Sequence, residues 1–159
     1  MTCVQVSRIS ELDEVAIAHL LAESQSQGFR LVERLVQDFS TGVNRFDRAG
    51  EVLFAASLEG RVVGIGGLNQ DPYCNDPKVG CFRHLYVESV WRPQGIGRLL
   101  VGQIVDEASK HYQLLTLRTN TLAGDRFYQR LGFKTVPTWV HTTHHLQLSN
   151  VEYYPTSSH

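Results

Sequence analysis

LYVESVWRPQGIGRLLV, residues 85–101, carries most of what this sequence says about its fold. Its first half is an apolar, β-prone run, and its second half opens a helical period at Ile96, Leu99 and Leu100 that continues beyond the stretch through Ile104 and Val105. Between them Gly95 and Gly97 remove two Cβ atoms just where a strand hands over to a helix. A helix N-terminus presents unpaired N–H groups and a partial positive charge, and Arg92 and Arg98 flank this one, so the turn can hold an anion.

Three phosphate ligands compete for such a turn. A P-loop requires GxxxxGK[ST], a string this chain lacks. A dinucleotide fingerprint requires a third small residue, and Leu100 stands in its place. What remains is RxxGxG, Arg92 to Gly97, the spacing of a coenzyme A pyrophosphate loop, against a plain tight turn entering a helix.

Outward from this stretch the chain divides into recognisable elements. Cys3–Arg8 alternates and predicts a strand. Ser10 with Asp13 predicts a helix cap, followed by an apolar face through Leu12, Val15, Ala16, His19 and Leu20. Beyond Gly28 a second stripe, Phe29, Val32, Leu35, Val36 and Phe39, predicts another helix. Val52–Leu58 and Val62–Leu68 are strands joined by Glu59-Gly60, a hairpin signal. A loop over 69–80 leads to a strand over 81–88.

After the central helix, Leu114–Thr119 predicts a strand and Ala123, Phe127 and Leu131 a helix stopped by Gly132. Asn120 and Thr121 are its cap candidates. Phe133–Val136 and Thr138–Leu148 close the chain as strands separated by Pro137. The order β-α-α-β-β-β-α-β-α-β-β implies an α/β (α+β) fold, a mixed sheet covered by helices.

Composition bounds the function. At 159 residues the chain fits one domain, 1–150, with a C-terminal tail, 151–159. The net charge of -1 and the scattered 15 Lys and Arg argue against nucleic acid. MTCVQVSRIS lacks the apolar core of a secretory signal, and no run is long enough to cross a membrane, so a cytoplasmic protein is expected. Cys3, Cys74 and Cys81 are read as reduced thiols, with a Cys74–Cys81 disulfide or metal pair as the alternative. His141, His144 and His145 have poor spacing for chelation on a strand, and no metal is expected.

Together with LRTNTLAGDRFYQRLGF, residues 117–133, the opening stretch resembles the two signature blocks of the GNAT superfamily of acetyl-CoA-dependent N-acetyltransferases. The order and separation of the blocks match as well. Pro93 and Ser89 depart from the family pattern, and Pro93 offers no N–H. The resemblance implies a mostly antiparallel seven-stranded sheet with about four helices, and transfer of acetyl from acetyl-CoA to a primary amine. It implies that Leu85, Tyr86 and Val87 bond the pantetheine arm, that Gln94, Gly95, Ile96, Gly97, Arg98 and Leu99 hold the pyrophosphate with Arg92 nearby, and that Asn120 bonds the pantetheine from the next strand.

By the same resemblance Tyr128 is the general acid that protonates the leaving sulfur, or else a packing residue beside Phe127. His84 and Glu88 share a parity on their strand and are candidates for the base, with ordered water as the alternative. A bulge in that strand would upset the parity argument. The acceptor is left open among polyamines, amino acids, aminoglycosides, aryl amines and protein N-termini. Asp71 and Asp76 are candidates to attract a cationic amine, and Tyr73 and Trp139 to wall it. A non-catalytic acyl-CoA-binding module of the same fold is the competing function, and either a monomer or a homodimer is compatible.

Overall fold

Buried residues alternate along the second strand, and that alternation builds the molecule. In a computed structural model, which describes residues 3–136, 139 and 141–155, β1 (Val4–Arg8) is followed by α1 (Ala18–Ser26), α2 (Leu31–Thr41) and β2 (Val52–Leu58). Val52, Phe54, Ala56 and Leu58 of β2 enter one core, while Leu53 and Ala55 enter another on the opposite face. Burial on both faces explains why the strand reads as a nearly unbroken apolar run.

The chain continues through β3 (Arg61–Gln70), β4 (Val79–Val87), a 3-10 turn (Ser89–Gln94), α3 (Ile96–Ser109), β5 (Leu114–Leu117), α4 (Leu122–Arg130), β6 (Lys134–Thr135) and β7 (His144–Gln147). The seven strands form one sheet in the order β1-β2-β3-β4-β5-β7-β6. Every neighbouring pair is antiparallel except β4 and β5. α1 and α2 cover the face of Leu53 and Ile65, and α3 and α4 the face of Val52, Phe54 and Leu115.

The element order agrees with the sequence reading, and the β2–β3 turn is the expected one: Glu59 and Gly60 both take positive φ. The first helix differs. Asp13 accepts the amides of Val15 and Ala16 at 3.0 and 3.3 Å, which makes a turn of its own, and α1 begins only at Ala18 with no side-chain cap. Thr121, not Asn120, caps α4 by accepting the Gly124 amide at 3.0 Å. The closing strands are shorter than expected; Pro137 and Thr138 lie outside the described residues. Tyr153 exchanges two hydrogen bonds with Gln147 and donates to Asp76, so this part of the expected tail packs on the body.

Candidate active site

Two strands that run side by side and then part make the site. β4 and β5 pair over only three rungs, Val79–Leu114, Gly80–Leu115 and Cys81–Thr116. Beyond Cys81, β4 continues to Val87 paired only with β3 among the described residues, while the Leu117 carbonyl turns to the Thr143 amide. The β5-facing edge of β4 thus has no strand partner beyond Cys81 among the described residues, its Val87 carbonyl being taken by Arg92, and an extended polar ligand satisfies such an edge as a strand would.

A bulge shapes that edge. Arg83 pairs with Gly67 and Tyr86 with Ile65, so His84 and Leu85 together oppose Gly66. His84 takes φ +62 to accommodate the extra residue. Consequently Phe82, Leu85 and Val87 all join the α3/α4 core, although Phe82 and Leu85 are three apart, while Tyr86 joins the α1/α2 core. From His84 onward the expected parity against Leu85 and Val87 holds; across the bulge it does not.

The α3 N-terminus stands at the far end of the slot. Ile96 and Leu100 are buried and anchor the helix, and Gln94, Gly95, Arg98 and Leu99 are exposed around its first turn. Gly95 has φ +78, and a Cβ there would meet nothing within 4 Å, so the glycine is required by conformation and borders open space. At Gly97 a Cβ would press the Phe127 ring at 3.2 Å. The amides of Ile96, Gly97 and Arg98 precede the first intrahelical bond, which the Leu99 amide makes to the Gly95 carbonyl at 3.1 Å, and Arg98 makes no ion pair among the described residues. The arrangement fits a pyrophosphate.

Arg92 is placed otherwise than the sequence suggested. Its Nε donates to the Val87 carbonyl at 2.9 Å, its Nη2 to Gln27 at 3.0 Å, and the guanidinium lies over the Tyr86 ring. It braces β4 against α1, while Arg98 is exposed beside the first turn of α3. Tyr86 belongs to the same brace, donating to Glu23 at 2.5 Å, and Ser89 reaches Glu23 through its amide and hydroxyl, both at 2.9 Å. Burial alone would raise the Glu23 carboxyl, but the bonds from Tyr86 and Ser89 and the charge of Arg92 hold it below the ordinary carboxylate range.

Tyr128 lies on α4 with its ring among Phe82, Phe127 and Phe133. It is 8% exposed, burial pushes its phenol well above the usual value, and no hydrogen bond to a described residue engages the hydroxyl. Asn120 is exposed at the end of β5 and lines a cleft of about 560 Å³ with Thr119, Thr121, Asp125 and His141.

The two base candidates have different environments. Glu88 accepts Arg61 through both oxygens, at 2.6 and 3.4 Å, and its amide bonds the Val63 carbonyl; it fastens the end of β4 to β3. That occupation argues against Glu88 as a base. His84 approaches the Leu31 carbonyl with Nδ1 at 3.0 Å, and since a carbonyl only accepts, Nδ1 carries the proton. Its Nε2 is then a lone pair, buried and unpartnered among the described residues. Burial, reinforced by the charge of Arg83, lowers the imidazole to about 4.

Both carboxylates of the acidic loop are already engaged. Asp71 accepts the Thr116 hydroxyl at 2.7 Å and the Tyr73 amide at 2.8 Å, and Asp76 is bonded by Tyr153 and the Lys78 amide. Tyr73 is exposed and stacks on His141 at 4.4 Å; Trp139 packs instead near Cys74 and His145. His141 lies in a turn with φ +65 rather than on a strand. His144 and His145 are adjacent on β7, so their side chains leave opposite faces of the sheet. Cys3, Cys74 and Cys81 form no disulfide among the described residues, so the alternative Cys74–Cys81 bridge is not made. No described helix is long and apolar enough to cross a membrane.

Network signals of this kind were invisible in the sequence. Nothing in its spacing marked Arg61 as the partner of Glu88, or Asp125 as that of His144, because neither pair is local.

Comparison with known proteins accords with this geometry. A family model described as an acetyltransferase (GNAT) domain matches residues 49–135. A solved structure from Exiguobacterium sp. 255-15, assigned as an acetyltransferase, is 32% identical, with 91% of this chain and 93% of that one covered and a TM-score of 0.79. The Escherichia coli GNAT family N-acetyltransferase YhbS, solved in complex with CoA, shares the fold at 18% identity, 94% and 84% coverage and a TM-score of 0.72. So does yncA from Salmonella typhimurium, solved with acetyl-CoA, at 15% identity, 97% and 99% coverage and a TM-score of 0.67. A comparison with curated proteins yields no match. A bulged β4 parting from β5, a glycine-opened α3 and a family model spanning both lead to one conclusion: this chain belongs to the GNAT acetyltransferase family.

Proposed function

We propose that the protein is an N-acetyltransferase that moves acetyl from acetyl-CoA to a primary amine of a small molecule by direct attack. The observation that carries this reading is the parting of β4 from β5 after Cys81–Thr116, which opens a slot between the first turn of α3 and Tyr128. In this reading the amides from Gly95 to Arg98 and the Arg98 guanidinium bind the pyrophosphate with Leu99 beside them, the edge from Leu85 to Val87 bonds the pantetheine and polarises the thioester carbonyl, and Asn120 closes the slot from β5.

The reaction forms a C–N bond and breaks the C–S bond; the amine gives up one proton and the sulfur gains one. Tyr128 is kept protonated by burial, so it always presents a donor. A phenol is a weaker acid than a thiol in water and burial raises both, so the proton moves as negative charge builds on the departing sulfur. His84 Nε2 is the acceptor assigned to the amine N–H. Because an alkylamine is almost wholly charged at neutral pH, the small neutral fraction is the nucleophile.

Thiol release from acetyl-CoA across a panel of amines tests the reading. Transfer is expected, with Tyr128→Phe lowering kcat by about 10²-fold or more, the usual worth of a general acid, at unchanged acetyl-CoA affinity. Tight CoA binding with no amine acetylated, and no effect of Tyr128→Phe, would favour the non-catalytic acyl-CoA-binding module instead.

A further inference from the structure

A second cleft, of about 690 Å³, opens on the α2 face of the sheet and is absorbed by nothing above. The end of α2, the segment 42–49, the end of β3 and Arg83 line it. Asp71, also in its lining, bonds Thr116, the β5 residue on the last rung before β4 and β5 part. The cleft therefore meets the start of the slot from the side opposite α3 and α4.

Its charges are unequally committed. Glu51 is taken by Asn69 at 2.7 Å and by the Arg48 amide at 3.2 Å, and Asp71 by Thr116 and Tyr73. Arg45 is turned to the Phe39 carbonyl. Arg83 is half-buried and makes no hydrogen bond or ion pair among the described residues. It sits immediately before the bulge, where its charge, with that of Arg34, adds to the burial that lowers His84. Asp38 and Asp47 also line the cleft.

We infer that this cleft receives the acceptor, and that the acceptor is an amine carrying a carboxylate close to it, as an α- or β-amino acid does. The inference rests on the acetyl-transfer reading and deepens it. A half-buried guanidinium with no partner among the described residues is matched by a carboxylate, which it binds through two parallel hydrogen bonds. A polyamine would set a second ammonium against Arg83 where a carboxylate pairs with it, and the charge of Arg83 favours the neutral form of an amine held beside it. Asp38 and Asp47 complement the ammonium as it arrives.

Matched acceptors test the proposal: phenylalanine against phenylalaninamide and phenethylamine, β-alanine against ethanolamine, with taurine and spermidine included. The carboxylates are expected to lead their partners in kcat/KM by about tenfold or more, the worth of a charge-assisted pair. Arg83→Gln should collapse that ratio toward one without changing acetyl-CoA affinity, and Arg83→Lys should restore part of it. Equal or better use of the amides, of spermidine, or an unchanged ratio in Arg83→Gln would overturn the cleft assignment while leaving acetyl transfer standing. Calorimetric binding of the same amino acids to CoA-loaded protein separates the two failures. Arg83-dependent binding without acetylation sustains the cleft and overturns transfer; neither binding nor acetylation of carboxylates overturns the inference.

Discussion

His144 Nε2 lies 2.7 Å from Asp125 Oδ1, and this single bond fastens the last strand to the first turn of α4, just ahead of Tyr128. Asp125 also accepts Gln129, and the far nitrogen of His144 meets the Thr143 hydroxyl at 2.7 Å, which in turn accepts the Thr119 amide. One chain of hydrogen bonds thus runs from the end of β5 through β7 to the helix that carries Tyr128. Position of the acid is a tertiary property. His144→Ala should therefore lower kcat while sparing acetyl-CoA affinity, and should lower stability by about 2 kcal/mol in urea unfolding, as loss of a buried polar network does. A fall in affinity with kcat intact would place the network under the cofactor rather than under the acid.

Burial of neutral His84 makes stability depend on pH. Its imidazole is lowered to about 4 in the folded protein against an unfolded value near 6.5, so the unfolded state binds the proton first as pH falls. Stability is fully present above about pH 6.5 and drops by about 3 kcal/mol on the way to about pH 4. Glu23 and Asp125, held below the carboxylate range, add loss only at lower pH, as it falls through their folded values. Urea midpoints at a series of pH values would measure this, and His84→Asn, a residue that tolerates positive φ, should flatten the upper part of the curve.

The same neutrality bears on the rate. If His84 accepts the amine N–H, it is unprotonated across the neutral range and contributes no limb near pH 6.5. The logarithm of kcat/KM should climb with pH toward the pKa of the acceptor amine, with slope near one. A break near pH 6.5 that vanishes in His84→Asn would show a protonated imidazole at work.

Glu88 provides the contrast between an anchor and a base. Tied to Arg61 at the strand end, it should tolerate Glu88→Gln with kcat reduced by less than about fivefold, the scale of a partly exposed ion pair. Removal of a general base would cost about 10²- to 10⁴-fold. Steady-state kinetics on the one variant distinguishes them.

Gly95 and Gly67 are glycines for different reasons. At Gly95 the backbone demands positive φ beside open space, so Gly95→Val should weaken acetyl-CoA binding at least about tenfold for about 1–2 kcal/mol of backbone strain, leaving the protein folded. At Gly67 a Cβ would fall 2.5 Å from the Phe46 ring, so Gly67→Ala should cost about 1–3 kcal/mol of stability through overpacking, and Phe46→Leu in the same chain should recover part of it. Calorimetric titration reads the first and thermal unfolding the second.

Local physics explains what was legible in the residues. Apolar period separates strands from helices, Glu59-Gly60 turns a hairpin because both residues take positive φ, and Gly95 and Gly97 open a helix start, all within a few residues. The first helix went astray at Asp13 for a local reason too: a short carboxylate that can bond two amides competes with the helix it was expected to cap. The surroundings of Arg92 and of the acidic loop were illegible for another reason. Charge in a sequence has no direction, and whether Arg92 faces a phosphate or the Val87 carbonyl depends on where α1 lies.

By itself the sequence determined the element order, the glycine-opened start of α3 and the motif pair that resembles an acetyl-CoA site, since each is written in neighbouring residues. Only the tertiary structure decided that β4 leaves β5 after Cys81, that Asp71, Asp76, Glu88 and Arg92 are already occupied, and that Arg83 is not. Those facts turn on partners distant in the chain, and a side chain's availability is set by what the fold brings against it.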